Sequence, residues 1–213
     1  MFSFNNHKNL EGSHAFFGAS NYSWLNWSKN LVVERFLNSY ATTIGTILHD
    51  YAKNCILHKI RLSETDENSI IYILSLNNIP REAYDPKLIL KNMVPYVNDA
   101  IRFHATPEVI LYYSAFCFGT TDAIVYDPDK KILRIFDYKS GSIKARIDQC
   151  RIYAAYFCLE YHIDPFKLKE IDLRIYQSGE QVGENADPNV IKGIMELAKE
   201  NNELVTQVYE RNK

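Results

Sequence analysis

The chain has no C-x-x-C pair. Its four cysteines, Cys55, Cys117, Cys150 and Cys158, are scattered. That spacing argues against zinc ligation and against a disulfide framework, and predicts free thiols in a reducing, cytoplasmic compartment. No apolar run approaches the roughly 20 residues of a membrane-spanning helix, and no basic-then-apolar export signal opens the sequence, so a soluble protein is expected. A surplus of positive charge is also missing. With 24 Lys and Arg against 26 Asp and Glu the net charge is −2, so any nucleic-acid contact must come from a local basic patch. There is no internal repeat, no low-complexity tract, and no H-E-x-x-H.

What is present is an ordinary globular composition, 46% hydrophobic and 23% charged, rich in Tyr (15) and Phe (11). At 213 residues one domain covering the whole chain is expected. Residues 1–19 show no period. Ser20 or Ser23 can cap a first helix carrying Trp24, Leu25, Trp27, Leu31, Val32 and Phe36. Residues 42–60 predict a helix with an apolar stripe of Ile44, Ile47, Leu48, Tyr51, Cys55 and His58. His49 lies off that stripe between Gly45 and Ala52, whose small side chains let the helix press close to a sheet. Residues 61–104 are polar at first and then helical, punctuated by Pro80 and Pro86, and are expected as a helical insertion.

A β-rich run over 108–117 leads into the most informative stretch, residues 118–142. Two short apolar runs, 123–126 and 132–136, flank the turn chemistry of Asp127-Pro128-Asp129-Lys130-Lys131, which predicts a hairpin. Asp122 opens the first run and Asp137 closes the second. Strand alternation sends Asp137 and Lys139 to one face and Tyr138 to the other. An antiparallel return brings Asp122 opposite Asp137. Two carboxylates and an ammonium at one sheet end would suit a divalent metal site for phosphoryl chemistry. The D-x-K triplet alone favours a solvated strand end, and only the flanking pieces move the balance.

Residues 143–162 predict a helix with a core face of Ile147, Cys150, Ala154, Phe157 and Tyr161. A second stripe holds Gln149, Tyr153 and Tyr156, and Lys144, Arg146 and Arg151 add positive charge. Residues 169–177 alternate as a strand, so strand, helix and strand suggest a right-handed parallel crossover. A last amphipathic helix, about 187–212, starts at Asp187-Pro188, with Val190, Ile194, Ala198 and Val205 as buried candidates.

In order, these pieces resemble the PD-(D/E)XK nuclease superfamily, in its RecB-like and phage-type exonuclease branch. The resemblance covers about residues 20–177, least so over 61–104. It rests on Ser20-Asn21-Tyr22-Ser23-Trp24-Leu25-Asn26, Gly45-Thr46-x-x-His49, Phe118-Gly119-Thr120-Thr121-Asp122-Ala123, Asp137-Tyr138-Lys139-Ser140-Gly141 and Gln149-x-x-x-Tyr153. Two departures are visible. Trp27 stands where many members have a cysteine, and no cysteine follows Cys158, so no iron–sulfur cluster is expected. Thr121 replaces the proline of the Pro-Asp pair.

The resemblance implies an α/β, restriction-endonuclease-like core, α-β-β-β-α-β, with a mixed sheet flanked by helices. It implies Mg²⁺ or Mn²⁺ held by His49, Asp122, Asp137 and the backbone carbonyl of Tyr138, with Glu108 in reach of a second metal or its water. Asp122, Asp137 and Lys139 would be catalytic. Gln149 and Tyr153 would grip DNA, with Lys144, Arg146 and Arg151 meeting phosphates. The implied activity is a metal-dependent DNA exonuclease in recombination, repair or processing, with DNA, single- or double-stranded, and a recombination or annealing protein as partners. The alternative is a nucleic-acid- or partner-binding module on the same fold that has lost catalysis.

Overall fold

The computed structural model describes residues 8–10, 13–141, 145–177 and 179–211. It is an α/β protein built on a five-stranded mixed sheet flanked by helices. The strands are β1 (Thr106–Ser114), β2 (Cys117–Asp127), β3 (Ile132–Tyr138), β4 (Glu170–Gln177) and β5 (Glu180–Asn185), side by side in chain order. All neighbours are antiparallel except β3 and β4, which run parallel and are joined through helix α5 (Asp148–Glu160). The parallel step requires such a crossover, since a tight turn can only return a strand antiparallel. β5 was not anticipated. Its sequence, Glu-Gln-Val-Gly-Glu-Asn, has little apolar alternation, and pairing with β4 alone makes it a strand.

Alternation along β3 splits the core in two. Leu133 and Ile135 face one side, with Ile171, Leu173 and Ile175 of β4, against α5 and α6 (Pro188–Arg211). Phe136 and Tyr138 face the other, against α2 (Ala41–Leu57), α3 (Glu67–Leu76) and α4 (Pro86–Arg102). Segment 61–104 therefore contributes directly to this core, because Ile89, Leu90, Met93, Tyr96, Val97 and Ala100 of α4 are buried in it. Pro86 occupies the first turn of α4, where its missing N–H has no partner to lose. Asp85 caps the turn by accepting from the Lys87 and Leu88 amides.

Several expected boundaries shift. The first helix is broken in two, a 3-10 turn (Tyr22–Asn26) and α1 (Lys29–Asn38), because Ser28 adopts extended backbone and caps Leu31 N. No residue of α1 is buried. His58, expected on the stripe of α2, is its exposed C-cap, and Ala52 takes the buried place. Helix α5 begins at Asp148, with residues 145–147 outside it and residues 142–144 not among those described. Tyr161, expected in the core, is exposed past the end of α5. In α6 the buried residues are Ile191 and Met195, while Val190 and Val205 are exposed. All four cysteines are buried free thiols. Among the described residues no helix is long and apolar enough to cross a membrane.

Candidate active site

The site forms where β2 and β3 part. Their last ladder pair is Ala123 with Phe136, so Asp122 and Asp137, the next residues outward, stand at the open end. The Tyr138 backbone N–H then donates to Asp122 Oδ2 at 2.7 Å, in place of a strand partner. Tyr138 sends its ring to the opposite face, stacked on Tyr96 at 5.5 Å, as alternation requires.

β1 brings in Glu108. Pro107 pairs with Ala123 and Val109 with Thr121, so Glu108 lies opposite Asp122. Its φ of 56° is left-handed backbone, rare for a residue with a side chain and costing about 1–3 kcal/mol. Such strain persists only where surrounding structure holds it, and here Thr121 Oγ1 donates to the Val109 carbonyl next door.

From the other side α2 supplies His49, whose Nδ1 lies 3.3 Å from Asp122 Oδ1. A Cβ added at Gly45, one turn earlier, would sit 3.5 Å from Ser140 Oγ, so the helix approaches the strand end closely at this point. Ligand atoms of His49, Glu108 and Asp122 all fall within 4.8 Å of one another. Burial pulls the imidazole pKa down, but the hydrogen bond to Asp122 and the charges of Asp122 and Glu108 outweigh it and raise it.

Asp137 is buried, with Oδ1 accepting from Lys139 Nζ at 2.9 Å. Its Oδ2 is a buried acceptor with no hydrogen-bond partner among the described residues. Burial, and then the Asp122 charge, push its pKa up to about 6 against the pull of Lys139. For Lys139 burial opposes the charge and Asp137 favours it, and the net shift is upward. Lys139 also donates to Gln149 Oε1 at 3.0 Å, and Gln149 Nε2 donates to Tyr153 Oη at 3.1 Å. Tyr153 in turn needs glycine across from it, since a Cβ at Gly119 would come within 3.0 Å of its ring.

The residues present fit a hard divalent cation. Two carboxylates and one imidazole converge, and the bare Oδ2 of Asp137 is an acceptor in want of a positive partner. Asp137 itself is not part of the 4.8 Å triad, whose third member is Glu108.

The structure thus brings together His49, Glu108, Asp122, Asp137, Tyr138, Lys139, Gln149 and Tyr153. It does not bring Arg151 with them. That guanidinium is held by both oxygens of Glu184 on β5, at 3.0 and 2.6 Å, and by Asp148. From the sequence this guanidinium is expected to meet phosphate; in the structure its counter-charge comes from the unanticipated β5. Arg146 is exposed and paired with Asp148 at 2.8 Å. Lys144 lies outside the described residues.

Two residues were missed in the sequence, Asn92 and Gln177. Asn92, buried on α4, donates to the Lys139 carbonyl at 3.3 Å and accepts from Gly179 N. Gln177 donates to the Gly141 carbonyl at 2.7 Å and accepts from Ala145 N at 2.8 Å. Together they clamp the backbone on both sides of the stretch after the D-x-K triplet. No spacing signal marked either, since their partners lie tens of residues away. No family model matches the chain, and neither a curated protein nor a solved structure matches it.

Proposed function

We propose that the chain is a Mg²⁺- or Mn²⁺-dependent deoxyribonuclease, an exonuclease of the phage-type, RecB-like kind on a restriction-endonuclease-like core, acting on DNA in recombination or repair. The observation that carries this reading is the Asp137–Lys139–Gln149 chain of hydrogen bonds beside the His49, Glu108 and Asp122 cluster. An acid cluster alone would serve a structural ion. A lysine held by two acceptors next to that cluster is equipment for phosphodiester hydrolysis.

His49, Asp122, Asp137 and the Tyr138 carbonyl would hold the cation, with Glu108 closing the cluster. When bound, the metal relieves the repulsion between an anionic phosphodiester and hydroxide and lowers the pKa of water. The chain's residues do the rest. Asp122 is oriented by the Tyr138 amide at Oδ2, with His49 beside its other oxygen. Lys139 is held charged by Asp137, placed to orient water or to neutralise charge building on phosphorus. Gln149 fixes the direction of that ammonium and passes the contact to Tyr153.

The test is digestion of end-labelled single- and double-stranded DNA with Mg²⁺, Mn²⁺ or EDTA. Metal-dependent loss of label is expected, abolished by Asp122→Ala and by Lys139→Ala. Activity surviving both substitutions sinks the proposal. Tight DNA binding without cleavage under either ion would favour the inactive binding module.

A further inference from the structure

At the far end of α5 from the candidate active site, a cavity of about 390 Å³ opens between the last turns of that helix, the loop that follows it, and α6. Gln149, in the first turn of α5, lies about 14 Å along the helix axis from Cys158 in the cavity wall. The floor is apolar. Leu159, Ile163, Pro165 and Met195 line it, and Tyr113 of β1 adds a ring. Cys158 belongs to this floor as a protonated thiol, since burial and then the Asp164 charge push its pKa up to about 12. The loop is fixed in place. Ile163 N donates to the Cys158 carbonyl at 3.0 Å, around a left-handed His162 (φ 54°) that closes the helix.

Charge around that floor is divided. On α6, Lys192, Met195 and Lys199 recur at helical spacing, so the two lysines leave one face about 10 Å apart along the axis, on either side of Met195. Among the described residues Lys199 has no carboxylate within 4.0 Å, and Lys192 has Glu196 alone, at 4.0 Å. Asp164, on the loop, is the one carboxylate among the lining residues, and its Oδ1 accepts from the Phe166 amide at 3.1 Å. A chain of net charge −2 thus sets two weakly neutralised ammonium groups over one side of an apolar cavity and an acid on the other.

That division selects the ligand. The lysine side takes an anion, and lysine without arginine suits phosphate, met as a point charge, better than a carboxylate gripped by two parallel hydrogen bonds. Asp164 repels a second anionic group and accepts from a hydroxyl or an amine. The floor and the Tyr113 ring take a flat or apolar body, and the volume lies in the range of roughly 300–1,000 Å³ usual for small-ligand pockets. Phosphate at one end, donors at the other and a flat body between them describe a nucleoside monophosphate. We infer that this cavity binds a nucleoside monophosphate, with its phosphate on Lys192 and Lys199, its base against Tyr113 and Met195, and a hydroxyl or amino donor on Asp164. The inference uses none of the candidate active-site residues and stands apart from the nuclease reading; where that reading holds, the same chemical class is what complete phosphodiester hydrolysis of DNA releases.

Titration calorimetry of the intact chain in EDTA tests it, with deoxyadenosine monophosphate as the probe. Saturable one-to-one binding is expected, with deoxyadenosine and inorganic phosphate each weaker by roughly 10-fold or more. Lys192→Gln with Lys199→Gln should weaken the monophosphate by roughly 10- to 100-fold. Circular dichroism and melting should stay unchanged in that variant, since both side chains reach solvent and the one ion pair lost is weak. Methyl and amide NMR reads the location: the Met195 methyl should shift on titration, and the Asp122 and Lys139 amides should not. No saturation by about 10 mM monophosphate, binding indifferent to the two glutamines, or shifts centred on Asp122 in place of Met195 overturns the inference. Deoxyadenosine binding as tightly as its monophosphate overturns the phosphate assignment.

Discussion

Gln149 on α5 accepts a hydrogen bond from Lys139 at 3.0 Å, so the ammonium presented just past β3 is aimed by a side chain ten residues later, in the first turn of that helix. This contact gives Gln149 a second candidate role, that of a positioning residue. Read from the sequence it is a group for gripping DNA; in the structure its carbonyl oxygen is already committed to the lysine.

Gln149→Ala should therefore act on turnover. Losing a hydrogen bond to a charged group is worth about 1.5–3 kcal/mol, or roughly 10- to 100-fold in kcat. Steady-state cleavage separates the two roles. A fall in kcat with KM little changed fits the positioning role, and a rise in KM alone fits a substrate contact.

Asp137→Asn should stabilise the metal-free protein above neutral pH even as it abolishes cleavage. Burial and Asp122 raise the Asp137 pKa to about 6, above the ~3.9 of an unfolded aspartate. A raised carboxylate favours the fold below the unfolded pKa, and that advantage is lost as pH rises through about 6. Asparagine removes the charge, and the gap should reach about 2–3 kcal/mol at pH 8. Thermal melts in EDTA at pH 4 and pH 8 check the sign. A gap that is larger at pH 4 would contradict the assignment.

Mn²⁺ or Mg²⁺ should raise the melting temperature of the intact chain, and more so as pH rises. The raised pKa values of His49 and Asp137 mean protons occupy the donors at low pH and must leave before a cation binds. At 100 times its dissociation constant the ion contributes about 2.7 kcal/mol. Melts in EDTA and in metal, from pH 5.5 to 8, are the measurement, and Asp122→Ala should flatten the response.

Arg151→Ala should cost stability and leave DNA affinity alone. Its pairing with Glu184 is half-buried and two-pronged, so a loss of about 1 kcal/mol is expected in urea unfolding. Binding to a catalytically dead variant at several salt concentrations should show no change in slope, because no phosphate contact is removed.

Asn92→Leu should loosen the stretch that carries Lys139. It leaves the Lys139 carbonyl and Gly179 N–H without their buried partner, at about 1–3 kcal/mol. Amide exchange at Gly179 should accelerate, and Asn92→Gln should restore little, since its extra methylene does not fit a well-packed helix face.

Much of the site was legible because it is built on strict local periods. A strand alternates every residue, so Asp137 and Lys139 had to share a face with Tyr138 on the other. A helix repeats every 3.6 residues, so His49 had to leave the stripe of α2. The helices around 61–104 and the crossover through α5 followed from the same arithmetic. What escaped was set by partners distant in the chain. Asn92 meets Lys139 across 47 residues, and Arg151 meets a strand with no apolar signature of its own. Glu108 was named from the sequence, but not the left-handed kink by which it reaches Asp122.

Helix α6 marks the boundary between the two kinds of information most clearly. By itself the amino-acid sequence determined where apolar side chains recur, and hence which elements form and which of their residues share a face. The tertiary structure alone decided what covers each face: Ile191 and Met195 meet the body of the protein, while Val190 and Leu197 meet solvent. Periodicity is a property of one element's own geometry, whereas burial depends on which other surfaces come to lie against it.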